Sequence, residues 1–331
     1  MSDSSPEPVR KTTKPPEVPN LWRPADDTGA LPMGQAGKPA FVLGIVGDSG
    51  SGKTTVADSV AALLGNDRVT DVRLDDYHRF TREERAGKGL TALNPVVHNL
   101  ALMQEHLRLL RQGRPIRNRS YVHADGTFGP IRLIEANDIV LVRGLLGFPT
   151  RELQKLYDLA VFLQPEPELL FRWKLRRDVL FRGYEEAEVL KSIAAHLLDA
   201  KEYVLPQAER AHVLVNYELP DWEAPDAQVL TMIRLRREAA EFGREEALFG
   251  GLPVDRQEEG EEVVIRIPAV IDEAEVDAWG RDRLPDHYVA GTTGQYSDET
   301  GESQRRATLA VVEVLIADLA SRMSAELTRA G

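Results

Sequence analysis

The chain contains no cysteine. That absence excludes disulfides, thiolate nucleophiles, cysteine-ligated metals and thiol switches together, and with the lack of an apolar signal core it predicts a reducing, cytoplasmic location. Aromatic residues are scarce, 6% of 331 residues. No apolar run approaches the roughly 20 residues of a membrane span, so no membrane partner is expected. Positive charge is in deficit, with 41 Lys and Arg against 53 Asp and Glu and a formal net charge of −12. No overall field therefore draws nucleic acid, and an anionic ligand needs a local cationic site. The remaining composition, 42% hydrophobic and 28% charged, is that of a globular protein.

Proline is concentrated at one end: Pro6, Pro8, Pro15, Pro16, Pro19, Pro24, Pro32 and Pro39 all precede Ala40. With few aliphatic residues among them, residues 1–38 are expected to form a disordered tail. From Phe41 short apolar runs at 41–46, 69–74, 139–142, 159–163 and 213–215 read as strands buried on both faces, and 54–64, 100–111, 169–180 and 186–203 have helical spacing between them. This alternation predicts an α/β fold with a mostly parallel sheet and helices on both faces. Residues 39–220 carry it as a first domain. Residues 221–331 are expected to form a smaller C-terminal α/β extension, with an acidic solvated loop at 255–262, a strand at 263–270 and a long amphipathic helix at 307–327.

The run Gly47-Asp48-Ser49-Gly50-Ser51-Gly52-Lys53-Thr54-Thr55 follows the first strand and opens the first helix. This is the phosphate-binding loop G-x-x-x-x-G-K-[ST] in its required context. Its glycines let successive N–H groups turn toward nucleotide phosphates, Lys53 neutralises their oxygens and Thr54 brings a hydroxyl to a metal. ATP or a similar triphosphate is the expected ligand. Asp75 and Asp76 end the second strand, the edge at which open α/β sheets carry their active sites. One carboxylate there can accept a hydroxyl proton and the other can orient metal-bound water, although such a pair equally serves as a turn former. Lys174 and Arg177 lie i and i+3 on a helix and are expected to share a face, with Arg182 at its end. Trp173 reads as core.

Taken together these segments resemble the phosphoribulokinase and uridine kinase family. The likeness covers nearly everything after residue 40, including Asp75-Asp76-Tyr77-His78, Arg177-Asp178, Arg182-Gly183 and Pro206-Gln207. Gly89-Leu90-Thr91-Ala92-Leu93-Asn94-Pro95 and Tyr121-x-His123 look like the phosphoribulokinase branch. The resemblance implies a P-loop kinase-type three-layer αβα sandwich. It implies ATP-dependent, magnesium-assisted phosphorylation of a small sugar phosphate, ribulose 5-phosphate to ribulose 1,5-bisphosphate. The alternatives it leaves are a uridine or other metabolite kinase and a catalytically impaired ATP-binding relative, and a homodimer is compatible with any of these. In that frame Asp75 is the catalytic base and, with Thr54, a metal contact. His78, Arg82, Tyr121 and His123 contact the sugar phosphate, and Lys53, Lys174, Arg177 and Arg182 serve the phosphoryl groups.

One departure stands out. After the strand at 139–142 the family has Glu-Gly-Leu-His, its glutamate a magnesium ligand, and this chain has Arg143-Gly144-Leu145-Leu146. A guanidinium beside a divalent ion is repelled by several kcal/mol even at an effective dielectric of about 20. Four outcomes are therefore open for Arg143: it disturbs the metal position beside Thr54 and weakens catalysis, it leaves the metal to Asp75 and Asp76, it acts as a phosphate clamp, or it turns away into an ion pair with Glu135 or Asp138. Leu146 is expected to remove a polar contact to the acceptor.

Overall fold

A computed structural model of the protein describes residues 37–331 apart from 222, 299 and 331, so the expected tail lies almost entirely outside the described residues. The element order begins β1 (Phe41–Gly47), α1 (Lys53–Leu64), β2 (Val69–Arg73), α2 (Arg82–Gly87) and α3 (Leu100–Arg111). It continues with the hairpin β3 (Ile116–Val122) and β4 (Thr127–Ile134), then β5 (Ile139–Gly144), α4 (Arg151–Gln154), β6 (Leu159–Pro165), α5 (Pro167–Arg176), α6 (Glu186–Asp199) and β7 (Val213–Glu218). After these come β8 (Leu230–Leu235), α7 (Glu238–Gly243), β9 (Asp255–Glu259), β10 (Glu262–Ile267), α8 (Glu273–Arg283), β11 (Gln295–Ser297), β12 (Ser303–Arg305) and α9 (Ala307–Ala330).

Every residue of β1 is buried, which puts that strand inside a sheet covered on both faces. The sheet has eight strands in the order β2-β5-β1-β6-β7-β8-β10-β9. Pairing is parallel from β2 to β7. Phe41, Leu43 and Ile45 face one way with Ile139 and Leu141 and pack on Val56 and Val60 of α1 and Val311 and Leu315 of α9. Val42 and Val46, with Val140 and Val142, face the other way and pack on Met103, Leu107 and Leu110 of α3. The result is the three-layer α/β sandwich with a mostly parallel sheet.

The structure departs from the sequence expectations at four places. β8 runs antiparallel to β7, and β10 and β9 continue antiparallel beyond it. The acidic stretch 255–262 is no loop: it is edge strand β9 and its turn into β10, with mostly exposed side chains, so charge solvates an edge while the backbone stays paired. β3 and β4 form an unforeseen separate two-stranded sheet. The long helices expected at 169–180 and 186–203 each widen into π-helical turns, at Arg177–Phe181 and Ala200–Val204.

α9 is tied to the phosphate-loop helix by Glu313, which is fully buried. Its Oε2 accepts hydrogen bonds from Ser59 Oγ on α1 and from the Gly294 N–H, both at 2.7 Å. Burial pushes this carboxyl up to about 7, against the lowering effect of those hydrogen bonds and of nearby Arg306 and Arg305. An acid whose folded pKa is raised costs nothing below its unfolded value and progressively more as pH climbs toward the folded value. Stability should therefore decline between about pH 4.5 and pH 7 by up to about 3 kcal/mol from this group. Glu313→Gln should flatten that slope in urea unfolding measured across the same range.

Candidate active site

Gly47 leaves β1 and Lys53 opens α1, so the loop between them crosses the end of the sheet. Gly50 and Gly52 lie in the left-handed region at φ 94° and 85°. At Gly50 space also matters, because a Cβ there would sit 3.1 Å from Cβ of Lys174 on α5. The Ser51 N–H donates to the Asp48 carbonyl at 3.1 Å, and Lys53 Nζ donates to the same oxygen at 2.6 Å. Thr54 and Thr55 are exposed in the first turn of α1, where the N–H groups have no helical acceptor. Removal from water, opposed by Asp48 and Asp75 and reinforced by Arg177 and Lys174, lowers Lys53 to about 8. The loop is a concentration of donors and positive charge.

The second cationic group does not share one helix face as its spacing suggested. The π-turn after α5 rotates Arg177 toward the phosphate loop, where its Nη2 donates to Ser49 Oγ at 3.2 Å while its Nε donates to Asp178 at 2.8 Å. Arg182 pairs with the same carboxylate at 3.1 Å. Lys174 is buried and goes the other way, its Nζ 3.1 Å from His196 Nδ1 on α6. Burial first, then repulsion from Arg177 and Arg182, lowers its pKa, although Asp48 and Asp178 oppose this. Asp178 thus aligns two of the three cations that the sequence singled out.

The helical turn after β2 carries Asp75 and Asp76 into different environments. Asp75 Oδ2 lies 3.2 Å from His123 Nε2. Burial works to raise the Asp75 carboxyl, but the His123 hydrogen bond and the surrounding imidazoles outweigh it and hold the group well below the usual carboxylate range. Asp76 is buried and accepts from the Tyr121 N–H at 2.7 Å, and burial raises its pKa. It fastens β3 to this turn. His78 is stacked on Tyr121 at 4.8 Å and edge-on to His98 at 4.5 Å, and burial together with His98 pushes it down to about 3, hence neutral. Tyr121 is 5% exposed and supports His78 from behind. Arg82 reaches across to the His123 carbonyl. Asp75, His78, Arg82 and His123 are therefore gathered in one place, and the charge of Asp75 acts on Lys53.

Several contributors were not visible in the sequence. The phosphate loop opens into a pocket of about 280 Å³ whose far wall is Trp173, Tyr217, Tyr296 and Arg306. Trp173, expected in the core, is half-buried in that wall and donates from Nε1 to Asp226 at 2.9 Å. Arg85 on α2 carries a buried, unpartnered Nη1 and its charge acts on His78, His98 and His196. No local pattern assigns these residues to a common site, because they come from elements far apart in the chain.

Residues 42–221 match the sequence pattern of the phosphoribulokinase / uridine kinase family. The chain belongs to this family. It is 31% identical over 232 residues to a phosphoribulokinase of Synechocystis sp., covering 69% of this chain and 70% of the relative. It is 28% identical over 188 residues to uridine-cytidine kinase B of Dictyostelium discoideum, covering 54% of this chain and 75% of that one. Among solved structures it is similar in fold to the phosphoribulokinase from Rhodobacter spheroides, with a TM-score of 0.55 and 19% identity over 74% of this chain and 94% of that one. The family is one of kinases, and among the described residues no helix is long and apolar enough to cross a membrane.

The departure at the end of β5 takes a form that the sequence did not foresee. Arg143 pairs with neither Glu135 nor Asp138: it donates from Nε and Nη2 to both oxygens of Asp71 at 2.9 and 2.8 Å, and from Nη1 to Asp58 on α1 at 2.7 Å. Two carboxylates against one guanidinium leave the cluster with a formal charge of −1, which offsets the repulsion an isolated arginine would exert on a cation. Leu146 is buried in the α3-side core. Arg143→Glu would crowd three carboxylates together. It should cost about 1–2 kcal/mol, read as a melting point lowered by a few degrees, and Arg143→Met should cost less.

Proposed function

We propose that the protein transfers the γ-phosphoryl group of ATP to a hydroxyl of a small sugar phosphate, with ribulose 5-phosphate as acceptor and ribulose 1,5-bisphosphate as product. The observation that carries this is the arrangement about Asp75: an ionised carboxylate held by His123, within charge range of Lys53 and flanked by His78 and His98, with Arg82 on the His123 carbonyl. A site for an uncharged nucleoside has little use for so many cations and imidazoles. A phosphorylated acceptor has.

In this mechanism the loop N–H groups and Lys53 hold the triphosphate, and Arg177, set by Asp178, meets its outer oxygens. Asp75 accepts the acceptor's hydroxyl proton as the oxygen attacks phosphorus. Its low basicity suits a proton that leaves late, when the bond to phosphorus is forming. Arg82 and Arg182 offer forks for the acceptor's own phosphate. Magnesium fits with few protein ligands, since it keeps waters and nucleotide oxygens and needs only one or two groups from the chain. Thr54 and Asp75, both hard oxygen donors, would hold it, and bound there it would neutralise developing charge on the phosphates.

Asp75→Asn should lower kcat for phosphate transfer to ribulose 5-phosphate by about a thousandfold while ATP still binds. Purified protein assayed against pentose phosphates and nucleosides checks both the variant and the acceptor class. Transfer to uridine in place of pentose phosphates would overturn the proposal. Lys53 gives a second expectation. A bound polyphosphate restores the ammonium's affinity for its proton, so ATP binding takes up a proton near pH 8, and affinity is full below that pH and falls as pH rises through it. Calorimetry at pH 8 in buffers of different ionisation enthalpy measures the uptake. Lys53→Arg should bind ATP without it.

A further inference from the structure

The pocket beyond the phosphate loop has a wall that phosphate chemistry does not account for. Trp173 from α5, Tyr217 from β7 and Tyr296 from β11 line it, and Phe181, half exposed, stands at the same pocket. Among them is Arg306, which is 5% exposed and whose guanidinium carbon lies 5.2 Å from the Tyr296 ring centre, 5.7 Å from Trp173 and 5.9 Å from Tyr217. Its Nη1 donates to the Asp226 carbonyl at 3.1 Å. Its Nε has no partner, and neither has the buried hydroxyl of Tyr217. Buried donors of this kind are nearly always satisfied, and two left without a protein partner within one pocket wall mark that wall as one a polar ligand edge completes.

The ligand's chemistry follows from the wall. Aromatic faces take a flat π-system. A guanidinium donates and never accepts, so it reads ring nitrogens or a carbonyl on that system's edge. The wall joins directly onto Thr54, Thr55 and Val56 at the start of α1. A planar, acceptor-edged ring joined to phosphates is a nucleobase.

We propose, on the assignment of residues 47–55 to nucleotide phosphates, that Tyr296 and Arg306 form the base subsite of the ATP site. The segment after β10 thus supplies nucleotide recognition to a phosphate loop more than two hundred residues earlier in the chain. Tyr296 stacks on the base and Arg306 reads its acceptor edge. Glu313 fixes the geometry, because the Gly294 N–H it holds begins the hairpin that carries Tyr296.

The test separates base from phosphate by titrating the full chain with ATP and with inorganic tripolyphosphate. Tyr296→Ala, a change at a half-exposed position, should weaken ATP at least tenfold and leave tripolyphosphate unchanged, and Arg306→Met should do the same if it folds. Unchanged ATP affinity in Tyr296→Ala overturns the subsite. Equal loss of both ligands with an unaltered melting curve overturns it too, since a base contact cannot act on a ligand without a base. Lys53→Ala should lose both ligands. If it loses neither, the phosphate-loop assignment fails, and that result is distinct from the behaviour of Tyr296→Ala.

Discussion

Lys53, Lys174 and Arg177 repel one another, and the chain nonetheless holds them together at the end of the sheet. Asp48 and Asp178 make this tolerable. The Asp48 carbonyl anchors Lys53, and Asp178 fixes Arg177 and Arg182. The compensation is partial, as the lowered pKa values of Lys53 and Lys174 record. A polyphosphate relieves what the protein leaves unbalanced, so affinity for anions is built into the folded state of a chain whose net charge is negative.

That constraint explains why α5 must press so closely on the phosphate loop and why it ends as it does. Gly50 admits Lys174 by lacking a side chain, and the π-turn that follows sends Arg177 back over Ser49. On the far side Asp75 faces the same charge from its own imidazole cage, while its neighbour Asp76 is spent on holding β3. Two adjacent aspartates thus take opposite protonation tendencies from their surroundings alone.

The parts legible in the sequence were those whose cause is local. Strands such as 41–46 and 159–163 are apolar at every position because both faces are covered, and the phosphate loop carries its glycines, lysine and threonine within nine residues. β8 was missed because Thr231, Met232, Ile233 and Arg234 mix polar and apolar positions without a clean period, and β9 because an edge strand's charges look like a loop's. Arg143 shows the limit most clearly. Its position on β5 was evident, but its partners, Asp71 and Asp58, belong to β2 and α1, and only the packing of those elements brings them within reach. Arg306 was invisible for the same reason.

The cover that α9 lays over α1 also orders events in time. On a ribosome adding roughly 5–20 residues per second, Ala307 follows Phe41 by an interval on the order of tens of seconds. Until then Val56 and Val60 lack the helix that covers them, Ser59 lacks its carboxylate, and Tyr296 has no fixed hairpin to stand on. The nascent chain can close its parallel strands early. Its nucleotide pocket is among the last things to be finished, and through that interval a strip of bare aliphatic surface on α1 is open to chaperones.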